Sequence, residues 1–295
     1  MVDLTGRRVL VTGANSGIGL EACVQLAQMG ADVTMVARDR AKAEAARADV
    51  DTRARRALGP SGSHRVRTPE VLICDMASQQ SIRTLADEVG RTHARLDILI
   101  NNAGSVSTTR ELTPDGIERT FAVNHLGYFL LTNLLRDLIV RSAPARIVNT
   151  SSVGHRAGTM NLDDLYFDTE PYSIMKAYGR SKLANILFTR ELARRLLGQG
   201  VTVNCLHPGA VSTNIWSHAM WWTRPFLAVA KLFMVTPEKG GERIVYLATS
   251  QDVEGKTGGY YEVNKLVAPS PLAQDDDLAA ALWNVSANLV GLAPQ

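Results

Sequence analysis

Cysteine is scarce. The three in 295 residues, Cys23, Cys74 and Cys205, lie far apart among apolar neighbours. No two have the spacing of a metal site or a disulfide framework. They read as reduced core residues, which favours a reducing compartment and the cytoplasm. Excess charge is lacking too. A formal net charge of +3 is too small to argue for nucleic acid or a membrane surface as partner. Long apolar runs are missing. The start, Met1-Val2-Asp3-Leu4-Thr5, has neither the basic head nor the apolar core of a signal peptide. The most apolar late stretch, Trp216 to Val235, is broken by His218, Arg224, Pro225 and Lys231, which makes it a poor transmembrane anchor. His125, His155 and His207 show no zinc spacing, and no metal site is expected. There are no internal repeats and no low-complexity linkers.

What is present is a chain with 45% hydrophobic and 21% charged residues. That is enough to bury one sizeable core, so residues 1–295 are read as a single domain. Short β-branched runs alternate with helical patterns. Strands are predicted at Arg8–Thr12, Asp32–Ala37, Glu70–Cys74, Leu96–Asn101, Arg146–Asn149 and Val201–Cys205, with a last one near Gly259–Val263. Helices are predicted over Ile18–Met29, Arg40–Leu58 and Gln80–Thr92. Strands apolar on both faces and separated by helices indicate a parallel sheet covered on two sides. Right-handed crossovers then give an α/β, doubly wound, Rossmann-type fold. Gly59 to Pro69 reads as a surface loop. The nearby Arg53, Arg55, Arg56, Arg65 and Arg67 read as a solvated face, although such a cluster could bind an anion.

The first strand runs into Thr12-Gly13-Ala14-Asn15-Ser16-Gly17-Ile18-Gly19. Glycines at this spacing let the chain turn tightly and let the backbone approach a pyrophosphate. The helix that follows offers free N–H groups and the positive end of its dipole to the anion. This segment is therefore the expected dinucleotide site. The end of the second strand decides which dinucleotide. Ala37 stands where an acid would hold the ribose hydroxyls of NAD, and Arg38 follows. A guanidinium suits a 2′-phosphate, so NADP(H) is expected. Asp39 reads as the cap of the next helix.

Two Tyr-x-x-x-Lys pairs occur, Tyr172 with Lys176 and Tyr178 with Lys182. Positions four apart share a helix face, and an ammonium there can lower a tyrosine's pKa. Such a phenol can exchange a proton with an alcohol or carbonyl. The first pair follows Pro171 at the ragged start of the helix. The second runs into Leu183-Ala184-Asn185-Ile186-Leu187-Phe188, a sustained apolar pattern, so Tyr178 is favoured.

Together with Asn101-Asn102-Ala103-Gly104, Asn124, Ser151-Ser152 and Pro208-Gly209, all in one order, these motifs resemble the short-chain dehydrogenase/reductase family over most of residues 5–265. The resemblance implies that Tyr178 is the general acid/base and that Ser152, rather than Ser151, holds the substrate oxygen. Lys182 would bind the nicotinamide ribose and lower the Tyr178 pKa, and Asn124 would hold a water linking Lys182 to solvent. It further implies cofactor contacts from Gly13, Asn15, Ser16, Gly17, Ile18 and Gly19, and from Asp75 with Met76 beside the adenine. Asn102, Ala103 and Gly104 would wall the cofactor, Pro208 and Gly209 would line the nicotinamide, and Val211 and Thr213 would hold its carboxamide. Asp75 could instead serve only as the cap of the next helix. Val36-Ala37-Arg38-Asp39, Val123-Asn124-His125-Leu126-Gly127 and His207-Pro208-Gly209 point within the family to a retinol-dehydrogenase-like branch. So does the long stretch between Ser152 and Tyr178. The membrane-anchored members of that branch carry an N-terminal anchor not read here, so the small-molecule alcohol or carbonyl is expected only to be apolar. Residues 216–235, with Trp216, Trp221 and Trp222, would form a lid over it. Core packing or a surface contact are the other readings of that segment. Relatives are often dimers or tetramers, which leaves a homo-oligomer open. Two other functions also stay open at this point. A reductase of carrier-bound acyl chains would want a basic entrance. A non-catalytic NADP(H) sensor would commonly lack the tyrosine or the lysine, and both are present.

Overall fold

The computed structural model describes residues 2–209 and 235–293. Its centre is an eight-stranded sheet in the order β3-β2-β1-β4-β5-β6-β7-β8. The strands are β1 (Arg8–Thr12), β2 (Asp32–Ala37), β3 (Glu70–Ile73), β4 (Ile98–Asn101), β5 (Ala145–Thr150), β6 (Val201–His207), β7 (Tyr260–Glu262) and β8 (Lys265–Leu266). All pair in parallel except β8, which folds back antiparallel on β7. The doubly wound sheet expected from sequence is therefore present, and the short closing hairpin is an addition to it.

Side chains alternate across the strands, as the pleat requires. On β1, Leu10 joins a core with Phe129, Leu187 and Trp283, whereas Val9 and Val11 join another with Ala22, Val245 and Leu247. On β4, Leu99 faces the first core and Ile98 and Ile100 the second. One face is covered by α3 (Gln79–Thr92), α4 (Gly127–Arg141), α5 (Ile174–Arg195) and α7 (Asp276–Leu289). The other is covered by α1 (Gly17–Gln28), α2 (Arg40–Gly62) and α6 (Pro237–Thr249). Sequence patterning did not mark α4, α6 or α7. In α4 the buried positions run almost unbroken from Gly127 to Thr132, which hides the helical period.

The predicted end of α2 at Leu58 corresponds to a kink. Gly59 takes φ 66° and one further turn follows to Gly62. Four of the arginines of this region are tied into ion pairs, Arg53 with Glu21, Arg55 with Asp51, Arg65 with Asp3 and Arg67 with Asp32. The long stretch before Tyr178 is anchored by Arg180, which is fully buried. Its guanidinium donates to the Asp164 carbonyl at 2.6 Å and the Thr159 carbonyl at 3.3 Å, and lies 4.0 Å over the Phe167 ring.

The chain runs outward from β1 to β3 and then returns to place β4 on the other side of β1. The connections from β1 and β4 therefore leave in opposite directions, and a crevice opens at their carboxyl ends. Ligands of such sheets bind there. Among the described residues, no helix is long and apolar enough to cross a membrane. The same residues hold no cluster of three or more potential metal-ligating His, Cys, Asp or Glu side chains.

Candidate active site

A cleft of about 940 Å³ occupies that crevice. Its lining includes Gly13, Asn15, Ser16, Gly17, Ile18, Arg38, Asp75, Met76, Asn102, Ala103, Gly104, Ser152, Tyr178, Lys182, Pro208 and Gly209. Of the expected site residues, Gly19 and Asn124 stand just behind the wall, and Val211, Thr213 and the proposed lid lie outside the described residues, apart from Val235.

The glycine turn is shaped by close approach. A Cβ on Gly13, which has φ 66°, would meet the Ala103 Cα at 2.7 Å, and one on Gly19 would meet the Asn102 amide nitrogen at 2.5 Å and run into the Gly13 carbonyl. Asn102 also holds the turn directly, donating from Nδ2 to the carbonyls of Thr12 (3.0 Å) and Gly13 (3.3 Å). Thr12 Oγ1 returns the tie by accepting the N–H of Asn102 and of Ala103. Ser16 starts α1 without a side-chain cap bond. The first-turn amides are thus left for an anion. Several buried polar atoms of the lining, Asn102 Oδ1, Ser105 Oγ, Thr150 Oγ1 and His207 Nδ1, have no hydrogen-bond partner among the described residues. A glycine cradle, open helix amides and unpartnered polar atoms along one trough together fit a dinucleotide.

At the outer end of the trough, Asp39 caps α2 by accepting the Lys42 N–H at 3.0 Å. Arg38 is exposed on the cleft wall, and Lys42, also exposed, is part of the same lining. Lys42 was not singled out from the sequence. Asp75 also reaches the cleft, with its carboxylate accepting the Ala77 N–H. The reading of Asp75 as the cap of α3 does not hold, because Ser78 is that cap.

At the inner end, the last residue of β5 and the two that follow it are stitched to α5. The Thr150 carbonyl accepts from Lys182 Nζ (3.1 Å) and Asn185 Nδ2 (3.0 Å), and Ser151 Oγ donates to the Lys182 carbonyl at 2.8 Å. Ser151 is thereby spent on structure. Ser152 is left to face the cleft, with its hydroxyl bonded to that of Tyr178. Lys182 is 4% exposed, and its Nζ lies 5.6 Å from the centroid of the Tyr178 ring. Burial pulls the ammonium down to about 8. Burial also pushes the Tyr178 phenol up, opposed by the bond to Ser152. The net direction for Tyr178 is upward, opposite to the lowering expected from its lysine, because desolvation of a phenolate outweighs the bond to Ser152.

Asn124 is fully buried behind the cleft wall. It sits in a π-helical segment, Ala122–Leu126. Its Nδ2 is spent on the Ser105 carbonyl (3.0 Å) and Ser181 Oγ (3.1 Å), and its Oδ1 accepts the Ser105 N–H. The side chain thereby clamps the segment that follows β4 to α5 at Ser181, next to Lys182. Tyr172, the rejected candidate, lies before α5 and donates to the Ser107 carbonyl at 2.9 Å, while Lys176 is exposed.

A family model described as short chain dehydrogenase matches residues 7–222. Human retinol dehydrogenase 14 is 46% identical over 97% of this chain and 87% of its own length. A crystal structure of a protein from Mycobacterium paratuberculosis superposes with a TM-score of 0.78 at 32% identity, covering 100% of this chain and 97% of that one. The Pseudomonas aeruginosa RhlG/NADP active-site complex superposes with a TM-score of 0.67 at 28% identity, over 88% and 94% of the two chains.

Proposed function

From the premise that the chain belongs to the short-chain dehydrogenase family and is an oxidoreductase of it, we propose that it uses NADP(H) to interconvert an apolar alcohol and its aldehyde or ketone. The observation that carries this reading is the hydroxyl pair of Ser152 and Tyr178, set beside a buried lysine at the inner end of a dinucleotide-shaped trough. The name of the 46% identical relative supports an apolar alcohol or aldehyde. Three free, buried cysteines, whose thiols burial pushes up, suit a cytoplasmic protein.

Gly13, Gly17 and Gly19 would let the backbone close on the pyrophosphate, and the amides at the start of α1 would hold it. Arg38 and Lys42 would hold the 2′-phosphate, and Asp75 and Met76 would border the adenine. Asn102, Ala103 and Gly104 would wall the trough, and Pro208 and Gly209 would flank the nicotinamide, with Val211 and Thr213 beyond them. Lys182 would reach the adjoining ribose. When bound, the reduced cofactor supplies the hydride.

The chain's own residues do the rest. The carbonyl oxygen of the substrate accepts hydrogen bonds from Ser152 and Tyr178, which already share one geometry before reaction. As charge grows on that oxygen, Tyr178 gives up its proton. A phenol held up by burial is protonated at neutral pH, the form that reduction needs. The Lys182 ammonium, fixed on the Thr150 carbonyl, offsets the phenolate that remains.

The test is NADPH and NADH oxidation by the purified protein across a panel of apolar aldehydes and ketones. Turnover with NADPH is expected. Removing one charge-assisted phosphate contact costs about 1.5 kcal/mol, so Arg38→Ala should raise the KM for NADPH roughly tenfold and leave that for NADH unchanged. Equal KM values before and after the substitution would remove Arg38 from the cofactor site. No turnover with any carbonyl, despite NADPH binding, would overturn the enzymatic reading.

A further inference from the structure

His155 is fully buried in the turn that follows Ser152, and nothing so far gives it a role. Its two ring nitrogens have different partners. Nε2 lies 3.0 Å from the backbone N of Ser270. A backbone amide can only donate, so Nε2 must accept and carries no proton. The ring proton is then on Nδ1, which lies 2.7 Å from the backbone carbonyl of Ser152. Donation to that carbonyl completes both bonds, and one tautomer satisfies the whole ring. The edge of the imidazole also meets the Tyr260 ring, with centroids 4.9 Å apart.

The surroundings keep the ring neutral. Burial depresses its basicity and the Arg156 charge adds to this, while the bond to Ser152 and the nearby Glu262 oppose it. Arg156, next in sequence, carries the same docking outward by reaching Glu262 at 3.4 Å and the Ala268 carbonyl at 3.3 Å. The segment around Ser270, which leads into α7, is thus fastened to the turn that bears Ser152.

We propose that His155 is a positioning residue of the active site. Its Nδ1–H holds the Ser152 backbone, and its Nε2 anchors that hold to the Ser270 amide, so the Ser152 hydroxyl meets Tyr178 and the substrate oxygen in register. The inference rests on the role given to Ser152 above. No other side chain among the described residues donates to the Ser152 carbonyl, which otherwise accepts only the His155 backbone N–H. The bond acts at the residue whose hydroxyl must be placed within a fraction of an ångström for acid/base chemistry.

Two substitutions separate the halves of the arrangement. An asparagine amide nitrogen falls where Nδ1 lies, and a glutamine amide oxygen falls where Nε2 lies. His155→Gln keeps the anchor to Ser270 and loses the hold on Ser152. Its kcat for carbonyl reduction should fall about tenfold, with the KM for NADPH within about twofold of wild type, since displacement of a positioned group by an ångström can cost up to about a hundredfold. His155→Asn restores a donor to Ser152 and should recover kcat to within about threefold of wild type. Equal kcat losses in the two variants, or none in either, overturn the inference. If the wild-type protein turns over no carbonyl, it is the role of Ser152 that fails, and His155 is then judged by a long-range 1H–15N spectrum of its ring. The Nδ1-protonated tautomer supports the hold on Ser152. The Nε2-protonated tautomer or the imidazolium overturns it.

Discussion

Tyr178→Phe should fold, bind NADPH with an affinity within about twofold of wild type and lose at least about a hundredfold in kcat, the low end of what a positioned acid or base contributes. The ring itself stays packed, because Gly154 leaves room for it only at contact distance. A Cβ there would lie 3.1 Å from Tyr178 Cε1. Only the hydroxyl is lost, and Ser152 Oγ keeps the Gly154 N–H as a donor at 3.1 Å. A carbonyl oxygen in the cleft would then find one hydroxyl instead of two and no proton to take. Tyr172→Phe, which removes a phenol bonded to the Ser107 carbonyl outside the catalytic pair, should change kcat less than about twofold in the same assay. Near-normal turnover in Tyr178→Phe would remove the tyrosine from the chemistry. Steady-state kinetics with cofactor titration checks both outcomes.

Lys182→Met should lose turnover on a similar scale and yet gain stability. The ammonium is buried, and its pKa falls from an ordinary 10.5 to about 8. A depression of that size opposes the charged form by on the order of 3 kcal/mol. The sign follows from proton counts. Between pH 8 and pH 10.5 the unfolded chain holds the proton and the folded chain has released it, so folding stability rises with pH across that window. At neutral pH the folded protein carries the full cost. A methionine of similar length removes it. The Thr150 carbonyl is not orphaned, since Asn185 Nδ2 still donates to it. Urea denaturation without cofactor should therefore show Lys182→Met more stable than wild type by roughly 1–3 kcal/mol at pH 7, with the gap narrowing by pH 9.5. A variant less stable than wild type at pH 7 would show that the lysine is held for structure instead.

Local spacing explains what the sequence made legible. The turn from Gly13 to Gly19 and the Tyr178–Lys182 pair are short-range patterns, and each keeps its meaning wherever the chain folds. The preference for Tyr178 over Tyr172 also came from local pattern, since only Tyr178 enters a continuous apolar helix. Strands β1, β2, β4, β5 and β6 were readable because nearly every position on both faces is buried, and the edge strand β3 was readable from its apolar run alone. What stayed hidden depends on contacts distant in sequence. Arg180 is a fully buried guanidinium, and nothing near it in the chain announces the carbonyls of Thr159 and Asp164 that receive it. The clamp that Asn124 makes on the Ser105 backbone was hidden in the same way, since its partner arrives from the end of another strand. The upward direction of Tyr178 follows from desolvation, a property of the packed core rather than of the residue four positions on. The last predicted strand, near Gly259–Val263, is β7, and only its antiparallel partner β8 was missed, because β8 is two residues long, below the length at which alternation can be read.

The stitching of β5 to α5 has a consequence for how such a protein can diversify. Thr150 and Ser151 on one side and Lys182 and Asn185 on the other make one seam, in which the main-chain carbonyls of Thr150 and Lys182 accept the side-chain donors. The walls from Ser105 to Glu111 and around Pro208 belong to different connections and share none of those bonds. Under the proposed function, replacements in the rim should therefore alter which substrate enters the cleft while leaving the seam beside Tyr178 and Lys182 unchanged.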